Sequence, residues 1–89
     1  MIRIRVVVHG TVQGVWFRES CRRRADELGV AGWVRNRSDG TVEAVFEGED
    51  QPVSQMAAWC RLGPPRAEVT SVDLTEEPPE GVTGFQVTR

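Results

Sequence analysis

The sequence predicts an α+β fold: a two-layer sandwich in β-α-β-β-α-β order, with an antiparallel sheet and both helices on one of its faces. Three features of the 89 residues carry that prediction. Apolar residues recur at period two near the start, in Ile2, Ile4, Val6 and Val8. They recur at helical spacing twice, in Phe17, Cys21, Ala25 and Leu28 and again in Val53, Met56, Ala57 and Cys60. Between the two helices an Asp39-Gly40 pair separates two strand-like runs, the pattern of a hairpin. Two βαβ-type halves joined by such a hairpin make the ferredoxin-like arrangement. Right-handed crossovers then place the first strand centrally, between the last strand and the third.

Each element has its own local support. Residues 2–8 set Ile2, Ile4, Val6 and Val8 against Arg3, Arg5 and Val7, ending apolar on both faces as a central strand does. The first helix runs to Leu28 and stops at Gly29. Arg22-Arg23-Arg24 looks like a basic patch, but Glu19–Arg23, Arg22–Asp26 and Arg23–Glu27 are all i,i+4 pairs, so a self-neutralised, solvated face is expected. Residues 30–37 and 41–47 are the second and third strands. Residues 48–52 form a loop and helix start, with Pro52 suited to a first turn. Trp59 lies at the margin of the second helix, which Gly63-Pro64-Pro65 ends. Residues 69–75 read as a more weakly patterned fourth strand, and residues 76–81 as an acidic, proline-rich loop. Phe85 and Val87 face inward from a last short strand, 84–88, which leaves one strand's worth of ambiguity over residues 67–88. Repeats, linkers and low-complexity segments are absent, so residues 1–89 are expected to form a single domain.

Composition narrows the function. The apolar and charged fractions are those of a globular protein. No apolar run approaches membrane-spanning length, and Met1 to Arg5 alternates like a strand rather than a signal peptide, so a cytoplasmic protein without membrane contact is expected. A net charge of −2 gives nucleic-acid binding no global support. A base-stacking module on this fold would need aromatic residues on the open sheet face. The first strand has none, and the third turns Glu43, Val45 and Glu47 outward, an acidic face. Cys21 and Cys60 have neither CxxC nor metal-ligand spacing and read as reduced, buried helix residues. No metal or cofactor is expected.

The chemistry concentrates at residues 8–18, where an apolar strand passes through a turn with two glycines into a helix. A first helical turn leaves N–H groups unpaired, and the peptide dipoles add partial positive charge there. Gly10 and Gly14 let the backbone curl around a ligand, and Arg18 brings a fork of donors that fits two oxygens of one phosphate or carboxylate. On these features alone the junction reads either as an anion site or as an ordinary turn with a solvated arginine. A Walker loop is excluded, since the chain has no lysine, and Gly10 and Gly14 do not fit a dinucleotide fingerprint. No cysteine nucleophile precedes Arg18. The chain's only asparagine, Asn36, stands at the end of the second strand. Parity groups it with Gly32 and Val34, so if Val34 faces the helices Asn36 does too, near the start of helix one. Asparagine also begins hairpin turns well, and the pattern leaves both readings open.

Together the two stretches resemble the acylphosphatase family. Its first signature, Gly-x-Val-Gln-Gly-Val-x-Phe-Arg, is matched by Gly10 to Arg18. Its second, Gly-aromatic-Val-basic-Asn-x3-Gly-x-Val-x5-Gly, is matched by Gly32, Trp33, Val34, Arg35, Asn36, Gly40, Val42 and Gly48. The resemblance extends over essentially the whole chain and implies a hydrolase that splits small-molecule acyl phosphates into a carboxylate and inorganic phosphate, the latter an inhibitor as well as a product. It implies that Arg18 and the backbone N–H groups of Gln13, Gly14, Val15, Trp16 and Phe17 hold the phosphoryl group, that Asn36 holds the attacking water, and that no metal, cofactor or phosphoenzyme takes part. A monomer is expected. His9, the one conventional acid–base candidate, occupies a variable position of the signature, and period two turns it away from the face of Val8.

Overall fold

A computed structural model describes residues 1–89. The elements are β1 (Ile2–Thr11), α1 (Phe17–Leu28), β2 (Ala31–Asn36), β3 (Val42–Gly48), α2 (Asp50–Leu62), β4 (Glu68–Glu77) and β5 (Phe85–Val87). They form one five-stranded sheet in the order β4-β1-β3-β2-β5. Both helices pack on the same face. Phe17, Cys21 and Ala25 from α1 and Val53, Met56 and Cys60 from α2 close over Ile4, Val6, Val8, Val34, Ala44 and Phe46 of the sheet. No helix is long and apolar enough to cross a membrane.

The sheet departs from expectation at residues 67–88. This segment holds two strands, and the neighbour of β1 is the longer, β4, which pairs with it from Glu77 opposite Arg3 to Glu68 opposite Thr11. The last strand, β5, lies at the far edge, parallel to β2, so the sheet is mixed rather than antiparallel. Direction explains this. β4 runs opposite to β1, and the chain leaving it at Glu77 crosses to the other edge at that same end of the sheet. It can only run back the way β2 runs. The acidic pair assigned to a loop, Glu76-Glu77, belongs to the end of β4.

The open face is also not the acidic surface that parity suggests. Glu43, Val45 and Glu47 do point away from the helices, but all three are buried. Glu43 accepts from Arg5 Nη1 at 2.6 Å and from Arg35 Nε at 2.8 Å, and Glu77 accepts from Arg5 Nε at 2.7 Å and Arg3 Nε at 3.1 Å. The indole of Trp33 lies 5.4 Å from each of the Arg5 and Arg35 guanidinium carbons. Cross-strand guanidinium–carboxylate pairs therefore cover this face and neutralise it. Glu47 does a second job: its carboxylate accepts the N–H groups of Glu80 at 2.9 Å and Gly81 at 2.8 Å, pinning the crossing from β4 to β5.

Elsewhere the structure follows the sequence reading with two exceptions: Arg23 does not pair with Glu27, and Val87, expected to face inward, is 40% exposed at the sheet edge. Gly29 ends α1 and Gly63 ends α2. On α1, Arg22 bonds to Glu19 and Asp26, and Arg23 reaches back to Glu19. Cys21 and Cys60 are free thiols buried on the inner faces of the helices, and burial pushes the Cys60 thiol up to about 12.

Candidate active site

Between β1 and α1 the chain makes a turn that ordinary residues resist. Gly10 has φ 123°, Gly14 has φ 74°, and Trp16, immediately before the helix, has φ 66°. At Gly10 the pairing of β1 with β4 shifts register, and a Cβ there would sit 2.0 Å from the Glu68 carbonyl oxygen, so only glycine lets the two backbones meet. The result is a run of N–H groups without backbone partners. None from Gln13 to Glu19 donates to a backbone carbonyl; the first that does is Ser20, to Trp16 O at 3.0 Å. No side chain caps the helix. Unpaired donors at a helix N-terminus are groups able to receive an anion.

The loop is fixed from the side by Gln13. Its Nε2 donates to Arg37 O at 2.7 Å and to Thr41 O at 2.9 Å, joining the loop to the turn between β2 and β3. That staple brings the loop beside the end of β2, where Asn36 stands. A cleft of about 460 Å³ opens there, lined by Val12, Gly14 and Trp16 of the loop, Phe17, Arg18 and Glu19 of α1, Asn36 of β2 and Val87 of β5.

The polar groups in this cleft differ sharply in how they are satisfied. Arg18 is half-buried and joins none of the ion pairs on α1, which connect Glu19, Arg22, Arg23 and Asp26 instead. Glu19 is turned to Arg22, with Nη2 2.5 Å from Oε1, and this hydrogen bond holds its carboxyl below the usual carboxylate range. Asn36 Oδ1 is buried and has no hydrogen-bond partner in the protein. Buried polar atoms are rarely left so, because the desolvation cost goes uncompensated. An amide oxygen accepts, so what it lacks is a donor.

Of the seven residues predicted for the site, Gly14, Trp16, Phe17, Arg18 and Asn36 line one cleft. Gln13 and Val15 do not: Gln13 turns its side chain to the β2–β3 turn, and Val15 packs on the core. His9 lies on the opposite sheet face, its Nε2 2.8 Å from Asp73 Oδ2. Sequence reasoning missed the Gln13 staple, the Glu19 wall and Val87. Glu19 was legible only as a helix-surface partner of arginine, and Val87 enters because β5 adds beside β2, which no local pattern announces. No group of three or more His, Cys, Asp or Glu side chains is placed to hold a metal ion.

Comparison with known proteins bears on the same residues. The acylphosphatase family model matches residues 4–87. An acylphosphatase of Rubrobacter xylanophilus is 57% identical over 86 residues, covering 96% of this chain and 78% of that protein. One from Thiobacillus denitrificans is 54% identical over 86 residues, covering 97% of this chain and 96% of that protein. The crystal structure of acylphosphatase from Bacillus subtilis superposes with a TM-score of 0.96 at 37% identity, covering the whole of both chains.

Proposed function

The chain belongs to the acylphosphatase family, enzymes that hydrolyse acyl phosphates, and from that premise we propose how its own residues do the work. The phosphoryl group lies against the N–H groups of Gln13 to Phe17, with the Arg18 guanidinium across two of its oxygens. Asn36 holds the attacking water. The observation that carries this reading is the buried, unpartnered Oδ1 of Asn36 in the cleft that Arg18 also lines. A water that donates to that oxygen has one O–H fixed and a lone pair free to face the phosphorus.

So small a set of groups is enough because of the leaving group. A carboxylate is the conjugate base of an acid with pKa about 4 to 5, so it departs at neutral pH without a proton donor. As the water oxygen bonds to phosphorus, the bond from phosphorus to the acyl oxygen breaks, and its electron pair leaves on the carboxylate. The water's proton passes to an oxygen of the phosphate itself. Phosphoryl transfer through a loose transition state asks chiefly for position and for charge stabilisation. The loop and Arg18 supply the second in a preorganised form, and Asn36 the first. Glu19, ionised and held by Arg22, is not available as an acid, and His9 is on the wrong face of the sheet.

The test is hydrolysis of acetyl phosphate, with and without EDTA, by wild type and by Arg18 variants. Activity is expected to survive the chelator, and inorganic phosphate to inhibit competitively. Arg18→Ala should raise KM and lower kcat together, by roughly 10²-fold or more in kcat/KM. Arg18→Lys should recover little of it, because the point charge lacks the two-pronged fit. Arg18→Ala that binds phosphate as tightly as wild type would mean the cradle is elsewhere. Full loss of activity in EDTA, restored by a divalent ion, would overturn the metal-free reaction.

A further inference from the structure

We propose that Arg22 is a positioning residue for phosphate binding: it clamps the Glu19 carboxylate toward the second turn of α1 and so keeps the chain's own anion out of the phosphate cradle. The inference rests on the function proposed above and adds a residue that acts on that site without touching substrate. It begins from a rivalry written into the first turn of α1. The helix has Trp16 at its N-cap, no side chain caps it, and Glu19 is the acidic residue of that turn. Counted from Trp16, Glu19 is the third helical residue, the position from which a glutamate reaches back to the N–H of the cap. The N–H groups in question are those of the cradle, which donate to no backbone carbonyl. Glu19 also lines the same cleft as Arg18 and Asn36. A carboxylate tethered beside an anion site competes with free phosphate at a high effective concentration.

The rivalry is resolved against the cap. Both Glu19 oxygens are taken: Oε1 accepts from Arg22 Nη2 at 2.5 Å and from Arg23 Nε at 3.4 Å, and Oε2 accepts from Arg22 Nε at 3.3 Å. A two-pronged guanidinium–carboxylate contact fixes direction as well as charge. Arg22 is held in turn from its other side, where Nη1 donates to Asp26 Oδ2 at 2.9 Å. Arg23 is 72% exposed and adds one long contact, so Arg22 carries the clamp. Ion pairs on a solvated helix face contribute little to folding. Here the same pair decides where a carboxylate rests beside a binding site, so its effect falls on binding. Released from Arg22, Glu19 finds in this cleft the cradle N–H groups and the Arg18 guanidinium. Both are the groups that the phosphoryl group uses.

The experiment is a double-mutant cycle on Arg22 and Glu19, read by acetyl phosphate kinetics and by calorimetric titration with inorganic phosphate. Alanine is the best helix former, so both substitutions keep α1. Arg22→Ala should raise KM and the phosphate dissociation constant together by about fivefold, the ratio of closed to open cradle that one capping hydrogen bond sets. Its kcat at saturation should be unchanged, because substrate displaces the carboxylate. In the Glu19→Ala background the same Arg22→Ala change should move neither constant, since nothing is left to clamp. That comparison separates the clamp from plain loss of a cation, which weakens phosphate equally in both backgrounds. Equal weakening in the two backgrounds, an unchanged KM in Arg22→Ala, or a loss confined to kcat overturns the clamp and leaves the hydrolysis reading intact. Phosphate affinities that follow the cycle in a protein that hydrolyses no acyl phosphate would keep the clamp and discard the reaction.

Discussion

Replacing Asn36 by alanine separates a catalytic asparagine from a turn-forming one, because the two roles move stability and turnover in opposite directions. The Asn36 side chain makes no hydrogen bond within the protein, and its Oδ1 is buried. No protein group therefore repays the desolvation of that oxygen, a cost of up to about 1 to 3 kcal/mol that a bound water offsets only in part. Asn36→Ala removes the cost and gives up only a small amount of packing. The net expectation lies between no change and about 1 kcal/mol of added stability. Catalysis runs the other way. Loss of the group that positions the water should lower kcat by roughly 10²-fold, equivalent to about 2.7 kcal/mol of barrier. Because the proposed role sets Asn36 against the water and not the phosphate, KM and the phosphate inhibition constant should hardly move. The measurements are the urea midpoint, kcat and phosphate inhibition for the same preparation of Asn36→Ala and wild type. A loss of 1 kcal/mol or more with kcat intact would refute the reasoning and assign Asn36 to the hairpin.

Two further tests address the scaffold. Gly10→Ala should cost about 2 to 4 kcal/mol, since its Cβ would meet the Glu68 carbonyl oxygen at 2.0 Å in a backbone at φ 123°; Gly14→Ala, with nothing within 4 Å, should cost only about 1 kcal/mol of backbone strain. Equal urea midpoints for the two variants would show that the close approach of β1 and β4 is not what requires glycine. The second test is acid. The Glu47 carboxyl is held low first by the Glu80 N–H, and that of Glu77 by its hydrogen bond from Arg5. At Glu43 burial pushes the carboxyl up, but Arg35 and Arg5 outweigh it. Groups with depressed folded pKa values stabilise above the unfolded value of about 4.3, and that contribution is lost as pH falls through the lower folded values. The urea midpoint should hold from pH 7 to 5 and fall steeply below about 4, less steeply in Glu47→Gln; a midpoint that rises in acid would contradict this.

Much of the fold was legible because its determinants are local. The stripe of Phe17, Cys21 and Ala25, the stop at Gly29 and the hairpin at Asp39-Gly40 each depend on residues within a few positions of one another. What failed was long-range. Residues 69–75 lack the alternation of β1, since β4 is an edge strand with most of its side chains in solvent, so its extension to Glu77 left no pattern. The three residues of β5 carry one buried side chain, Phe85, and partner choice for so short a strand is decided by the route of the crossing, not by its own sequence. The neutral open face was hidden for a related reason. Glu43 and Glu47 read as exposed acids until the register places Arg5, Arg35 and Arg3 around them.

The same division runs through the candidate site. Loop residues 10–18 announced themselves, because two glycines before a helix start and an arginine in its first turn constrain the backbone wherever they occur. Asn36 did not: its parity was readable, but its role depends on an oxygen left without a donor, which is a property of the packed structure. Gln13 shows the limit most clearly. Its sequence position suggests one more N–H in the cradle, whereas its side chain spans to the carbonyls of Arg37 and Thr41 and holds together the loop and the strand end that the proposed reaction needs side by side. The distance along the chain between Arg18 and Asn36 is thus closed by an amide that touches neither. Disturbing that staple should misplace the water relative to the phosphorus, for a displacement of about 1 Å is enough to cost 10²-fold in rate. Position in this site is a property of the β2–β3 turn as much as of the residues that face the substrate.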